Sequence, residues 1–117
     1  MAESVDKLFV YGTLQPGGIN HDKLAHLSGT WITATVRGML IEEGWGADHG
    51  CPGLILDGAG EVVSGYLLTS EELPGEWQAL DAFEGEEYAR VLTEVSVPSG
   101  ELAEAYVYVI GSRGVGG

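Results

Sequence analysis

Two short segments carry residue types whose spacing could do chemistry. The first is Leu80-Asp81-Ala82-Phe83-Glu84-Gly85-Glu86-Glu87-Tyr88-Ala89-Arg90. Glu84 falls at i+7 from Trp77 and i+4 from Leu80, so a helix through this stretch puts it near its own apolar stripe. A carboxylate at a helix C-terminus faces the negative end of the dipole, and partial burial disfavours its charged form further. Both effects raise its pKa, as a general base working near neutrality requires. A boundary glutamate paired with Arg90 fits the same position, and position alone does not separate the two readings. The second segment is Tyr11-Gly12-Thr13-Leu14-Gln15-Pro16-Gly17-Gly18. A glycine directly after an apolar strand lets the backbone turn sharply and present consecutive N–H groups, a nest for an anion. Gly18 stands where a phosphate-binding Walker loop would have lysine, so a carboxylate suits the loop better than a polyphosphate. An ordinary strand-to-loop turn is the commoner meaning of so short a glycine motif.

Other reactive side chains offer less. His21, His26 and His49 invite a metal, but Asp48-His49-Gly50-Cys51 matches no zinc spacing and no second cysteine pair exists, so neither metal nor cofactor is expected. Cys51 and His49, two apart in a loop, make a poor nucleophilic pair. Trp31, Trp45 and Trp77 read as core or rim, with Trp45 able to border a cavity. In so acidic a chain Arg90 reads first as a salt-bridge partner.

The elements around these segments are mostly strands. Leu8-Phe9-Val10-Tyr11 is a buried first strand ending at Gly12. His21–Leu27 offers one or two helical turns. Thr30–Ile41 is rich in threonine, valine and isoleucine, as a long strand would be. Gly44–Gly53, with its glycines and a proline, reads as a loop. Gly53–Leu56 and Val62–Leu68 read as strands joined through Asp57-Gly58-Ala59-Gly60 as a hairpin. Ser70 can cap a helix that Glu71 and Glu72 favour, Pro74-Gly75 interrupts it, and a helix resumes over Glu76–Phe83 with Gly85 as its left-handed cap. Strands over Tyr88–Val97 and Leu102–Ile110 flank the turn Pro98-Ser99-Gly100. Tyr106 and Tyr108 alternate with Ala105 and Val107; one pair faces inward, and the alternation does not say which. The expected fold is α+β: a small mixed β-barrel or strongly curled sheet with one or two short helices. Residues 1–110 read as one domain and 111–117 as a flexible glycine-rich tail.

Composition narrows the class. At 117 residues one core can form, burying about two-thirds of the unfolded chain's surface. The single cysteine excludes an internal disulfide and fits a reducing compartment. Eighteen acidic residues against five basic ones give a net charge of -13. Five scattered cations cannot build the basic stripe that nucleic acid requires, and an anionic membrane surface is disfavoured likewise. The acidity reads as solubility, with adaptation to high salt as a lesser alternative. The first residues show no basic region followed by an apolar one, and no run approaches the ~20 apolar residues of a membrane helix. A cytoplasmic location is the default expectation.

Taken together, Val10-Tyr11-Gly12-Thr13-Leu14, Leu80-Asp81-x-Phe83-Glu84-Gly85 and Tyr88-x-Arg90 resemble the γ-glutamylcyclotransferase-like family, most closely its branch acting on γ-glutamylamines. The resemblance spans most of the chain. It implies a small mixed barrel with a cavity, in which the backbone of Gly12, Thr13 and Leu14, with Tyr11 beside it, holds the α-carboxylate of a γ-glutamyl group. Glu84 matches the family's acid/base residue; Tyr88 and Arg90 match motif positions read as cavity wall and support. The implied reaction, of lyase or transferase type, releases 5-oxoproline: the substrate's α-amine attacks its own γ-carbonyl and expels the other amine. Such ring closure can draw on effective molarities up to ~10⁸ M, so no protein nucleophile or metal is needed. Proton transfer from the α-ammonium to an unperturbed glutamate is uphill by roughly 5 kcal/mol, a gap that a raised Glu84 pKa narrows. The leaving amine stays open, because its side of the cavity falls to the Glu43–Gly53 loop and the last strands, where no motif stands. A binding module that holds a γ-glutamyl or other carboxylate ligand without turnover is the main rival; an acidic interaction protein is another. The expected partner is a small γ-glutamyl molecule, and the expected state a monomer or weak homodimer.

Overall fold

The computed structural model describes residues 6–12, 16–17, 21–41, 53–84 and 88–110, with the backbone alone at Lys23, Ile41, Glu84 and Ile110. In chain order the elements are β1 (Lys7–Val10), α1 (Asp22–Ala25), β2 (Thr30–Ile41), β3 (Gly53–Leu56), β4 (Glu61–Thr69), a 3-10 turn (Leu73–Gly75), α2 (Trp77–Glu84), β5 (Tyr88–Ser96) and β6 (Leu102–Ile110). The strands run β3-β2-β4-β1-β6-β5, and β2 meets β5 again at Thr35 and Ser96. Five strands thereby close into a mixed barrel, with β3 as an extra strand on β2. Every pairing is antiparallel except β1 with β6. The Glu43–Pro52 part of the expected loop and the tail at 111–117 lie outside the described residues. No helix among the described residues is long and apolar enough to cross a membrane.

The apolar residues of β1 form an unbroken run because both of its faces are covered. Phe9 points into the barrel with Val36, Leu67, Val95 and Val107. Leu8 and Val10 point outward, into a second layer with Leu68, Leu24, Leu73 and Leu80. That layer is roofed by α1, the 3-10 turn and α2. The same alternation settles β6: Ala105 and Val107 fill the barrel, while Tyr106 and Tyr108 lie in the outer layer beneath α2. The 3-10 turn starts from Ser70, which is buried and accepts the Glu72 amide on its hydroxyl at 3.1 Å.

The expected hairpin between β3 and β4 does not form. Both strands pair with β2, on its opposite edges, and Gly38 is in register with Leu56 on one side and Glu61 on the other. The chain therefore crosses over β2 at Gly38 while continuing in one direction. Asp57 makes the turn, accepting the Gly60 amide on its carbonyl at 2.7 Å and the Ala59 amide on its carboxylate at 3.0 Å. A Cβ on Gly60 would sit 2.7 Å from the Gly38 carbonyl oxygen, and one on Gly38 would press into the Ile55 carbonyl oxygen. Two glycines thus permit two backbones to cross in contact. The β5–β6 hairpin forms as expected, its turn closed by the Gly100 amide on the Val97 carbonyl at 2.8 Å, with Gly100 at φ +93° where glycine is favoured.

Candidate active site

The polarity of three elements points the described ends of the two candidate segments toward the same end of the molecule. The Trp77 ring meets Tyr106 edge-on at 5.0 Å, and Asp81, one turn further along α2, meets Tyr108. So α2 runs in the direction of β6. β1 also runs parallel to β6, with Leu8 beside Tyr106 and Phe9 beside Val107. The C-terminal ends of α2, β1 and β6 accordingly share one end of the molecule. Glu84 closes α2 there, Gly12 follows β1 there, and Tyr88 joins them as the register partner of Ile110. Thr13, Leu14 and Gly85 lie outside the described residues.

Tyr11 anchors the start of the glycine turn. Its ring stacks on Phe9 at 6.3 Å, and its phenol donates to the Tyr108 carbonyl oxygen at 2.6 Å. Tyr88 is half-buried against the outer apolar layer. Gly65 sits beneath the same region in β4, where a Cβ would come within 2.7 Å of the Phe9 ring. That close approach lets β1 lie tightly on β4 just before the turn.

Arg90 sits in a built socket. Its Nε and Nη2 donate to the two carboxylate oxygens of Asp81 at 2.8 and 3.1 Å. Its guanidinium lies 4.8 Å from the Trp77 ring centroid and 4.4 Å from that of Tyr106, a cation in reach of both rings where they meet edge-on. The Tyr108 phenol donates to the same Asp81 carboxylate at 2.7 Å. The Arg90 hydrogen bonds, helped by the Tyr108 phenol and opposed by partial burial, hold the Asp81 carboxyl below its ordinary range. The Asp81 carboxylate in turn raises the Arg90 guanidinium. The guanidinium that a plain ion-pair role for Glu84 would need thus has two of its donors on Asp81.

Asp81, Tyr108, Trp77 and Tyr106 form this socket, and the sequence reading assigned none of them to a site. Asp81 did stand inside the motif that pointed to Glu84, and its i+4 spacing from Trp77 was visible. What brings Tyr108 and Arg90 to it is the β5–β6 register, in which Arg90 faces Tyr108. Of the histidines, His21 tilts against Trp31 at 5.1 Å and His26 lies 3.6 Å from a Glu76 carboxylate oxygen. His49 and Cys51 lie outside the described residues.

A five-stranded mixed barrel with one extra strand and a helix packed on its outer layer defines a class of fold. The chain belongs to the family described as gamma-glutamyl cyclotransferase, AIG2-like, whose model matches residues 8–116. An AIG2-like protein from Mus musculus is similar at 26% identity and a TM-score of 0.72, over 94% of this chain and 80% of that one. YkqA from Bacillus subtilis matches at 26% identity and a TM-score of 0.70, over 92% of this chain but only 36% of its own length. A structure named gamma-glutamyl cyclotransferase, 17% identical, shares the fold at a TM-score of 0.68 over 93% of this chain and 68% of that one. No curated protein matches the sequence.

Proposed function

We propose that this protein is a γ-glutamylcyclotransferase-type enzyme that releases 5-oxoproline and a free amine from a γ-glutamyl amine or γ-glutamyl amino acid. What supports this most is the family match over residues 8–116, together with an architecture in which β1, β6 and α2 run the same way, so that Gly12 and the end of α2 lie toward the same end of the molecule. The backbone of Gly12, Thr13 and Leu14, with Tyr11 beside it, holds the substrate's α-carboxylate. Tyr88 forms cavity wall, and Arg90 supports it. Glu84 takes a proton from the α-ammonium. The freed amine nitrogen bonds to the γ-carbonyl carbon, Glu84 returns the first proton to the leaving nitrogen as the bond from that carbon to it breaks, and the attacking nitrogen gives up its second proton, again by way of Glu84, to the departing amine, which leaves as an ammonium. Atoms and charge balance with no external reagent. The protein's task is to hold the glutamyl chain curled and to supply one carboxylate between two nitrogens.

The test is release of 5-oxoproline from a panel of γ-glutamyl amines and γ-glutamyl amino acids. Glu84→Gln keeps nearly the same volume but cannot cycle a proton, so it should retain ligand binding while kcat falls by roughly 10²–10⁴-fold or more. Near wild-type turnover in that variant removes Glu84 from the reaction. Binding of the γ-glutamyl group without product from any substrate would instead make the barrel a binding module.

A further inference from the structure

Tyr108 links the residue that follows β1 to the Asp81 socket on α2. Its backbone carbonyl accepts the Tyr11 phenol at 2.6 Å, at the start of the glycine turn. Its own phenol donates to Asp81 at 2.7 Å, on α2. Asp81 precedes Glu84 by three residues, or about 4.5 Å along the helix axis. Arg90 fixes the Asp81 carboxylate in orientation as well as in place, because a two-point fork defines a plane. The rings of Trp77 and Tyr106 in turn restrain the guanidinium. An exposed ion pair of this kind is worth little as stability, and the Asp81 side chain is 45% exposed. Its geometry is more elaborate than stability alone requires.

We infer that Asp81 is a positioning residue: through the Arg90 fork and the Tyr108 phenol it sets the last turn of α2 in fixed register with Tyr11 and Gly12 at the end of β1. This inference rests on the reading of Glu84 as acid/base and deepens it. Asp81 touches neither substrate nor proton. Its effect is on where Glu84 stands relative to Gly12, whose backbone holds the α-carboxylate in the proposed reaction. A misplacement of about 1 Å in such a pair can cost on the order of 10²-fold in rate.

Three substitutions test it: Asp81→Asn, Arg90→Lys and Tyr108→Phe. Lysine keeps the charge of Arg90 but cannot make the fork. Phenylalanine removes a single oxygen from Tyr108 and keeps a foldable variant in the set. In Asp81→Asn and Arg90→Lys, kcat for a γ-glutamyl substrate should fall about 10–100-fold with KM within about twofold, and Tyr108→Phe should lose less. Amide hydrogen exchange should quicken both at Gly12 and at Leu80–Glu84, and stay unchanged along the β2–β4 ladder. Unchanged kcat, full activity in Arg90→Lys, or a loss shared equally by KM would overturn the inference. So would exchange that quickens in α2 and not at Gly12. If the wild-type protein releases no 5-oxoproline, the proposed reaction fails, while the exchange measurement still decides whether Asp81 ties α2 to the Gly12 turn.

Discussion

Asp81 and Arg90 meet in a pair that neither residue announces alone. The excess of acid over base in the chain makes an ion pair the natural reading of Arg90, and it has one. Which of eighteen acidic residues it would choose was not legible, because the choice is made by strand register and not by spacing. Glu84 was legible at the level of the helix: its phase with Trp77 and Leu80 placed it at the end of α2, where the helix does end. The pair also carries a pH signature. Asp81 has its carboxyl held below the ordinary value of 3.8, so it stabilises the fold above that pH and loses this contribution as pH falls through its lowered native value. Asp81→Asn should therefore lower the melting temperature at about pH 7, with the gap from wild type closing as the pH falls below 3.8 and through the lowered native value. A gap equally wide in acid would show that the loss comes from packing and not from the carboxylate.

Elements were more legible than their partners. β2 and β3 have the limits that composition and turn residues suggested, and β4 extends one residue beyond the expected range at each end. Local signals suffice there: β-branched residues and apolar runs favour extended backbone, and glycine, proline and aspartate end it. The pairing of β3 with β4 was misread for a physical reason. A four-residue turn between two strands has the local chemistry of a hairpin whether the strands pair or pass over a third. Only β2, which offers both of its edges, decides between them. The two glycines at the crossing record that decision. Gly38→Ala should destabilise the protein by about 1–3 kcal/mol, since the added methyl meets a backbone oxygen that cannot move aside cheaply. Gly58→Ala makes the control, because a Cβ there meets nothing within 4 Å. Denaturant midpoints would compare them, and equal midpoints would mean that the crossing has room to spare.

At the scale of the whole molecule, charge is the dominant fact. A net charge of -13 on a chain of 117 residues sets like charges against one another in any compact state. Salt should relieve this: raising NaCl from about 0.02 to about 0.5 M should raise the melting temperature by several degrees near neutral pH. A flat or falling response would mean that local pairs, and not the overall field, govern the electrostatics. The barrel's closure has a different consequence, one of timing. β1 is synthesised first, yet its two neighbours in the sheet are β4 and β6. The Tyr11 phenol waits for a carbonyl 97 residues downstream. A ribosome that has made the chain up to β5 has therefore left one edge of β1 open, because β6 is still to come. Loop-closure entropy of that range must be met before the contacts that reward it exist, and pairings of this kind slow folding relative to local ones. The sheet around β1 cannot mature in parts, because the strand that begins it and the strand that completes it are the first and last of the six.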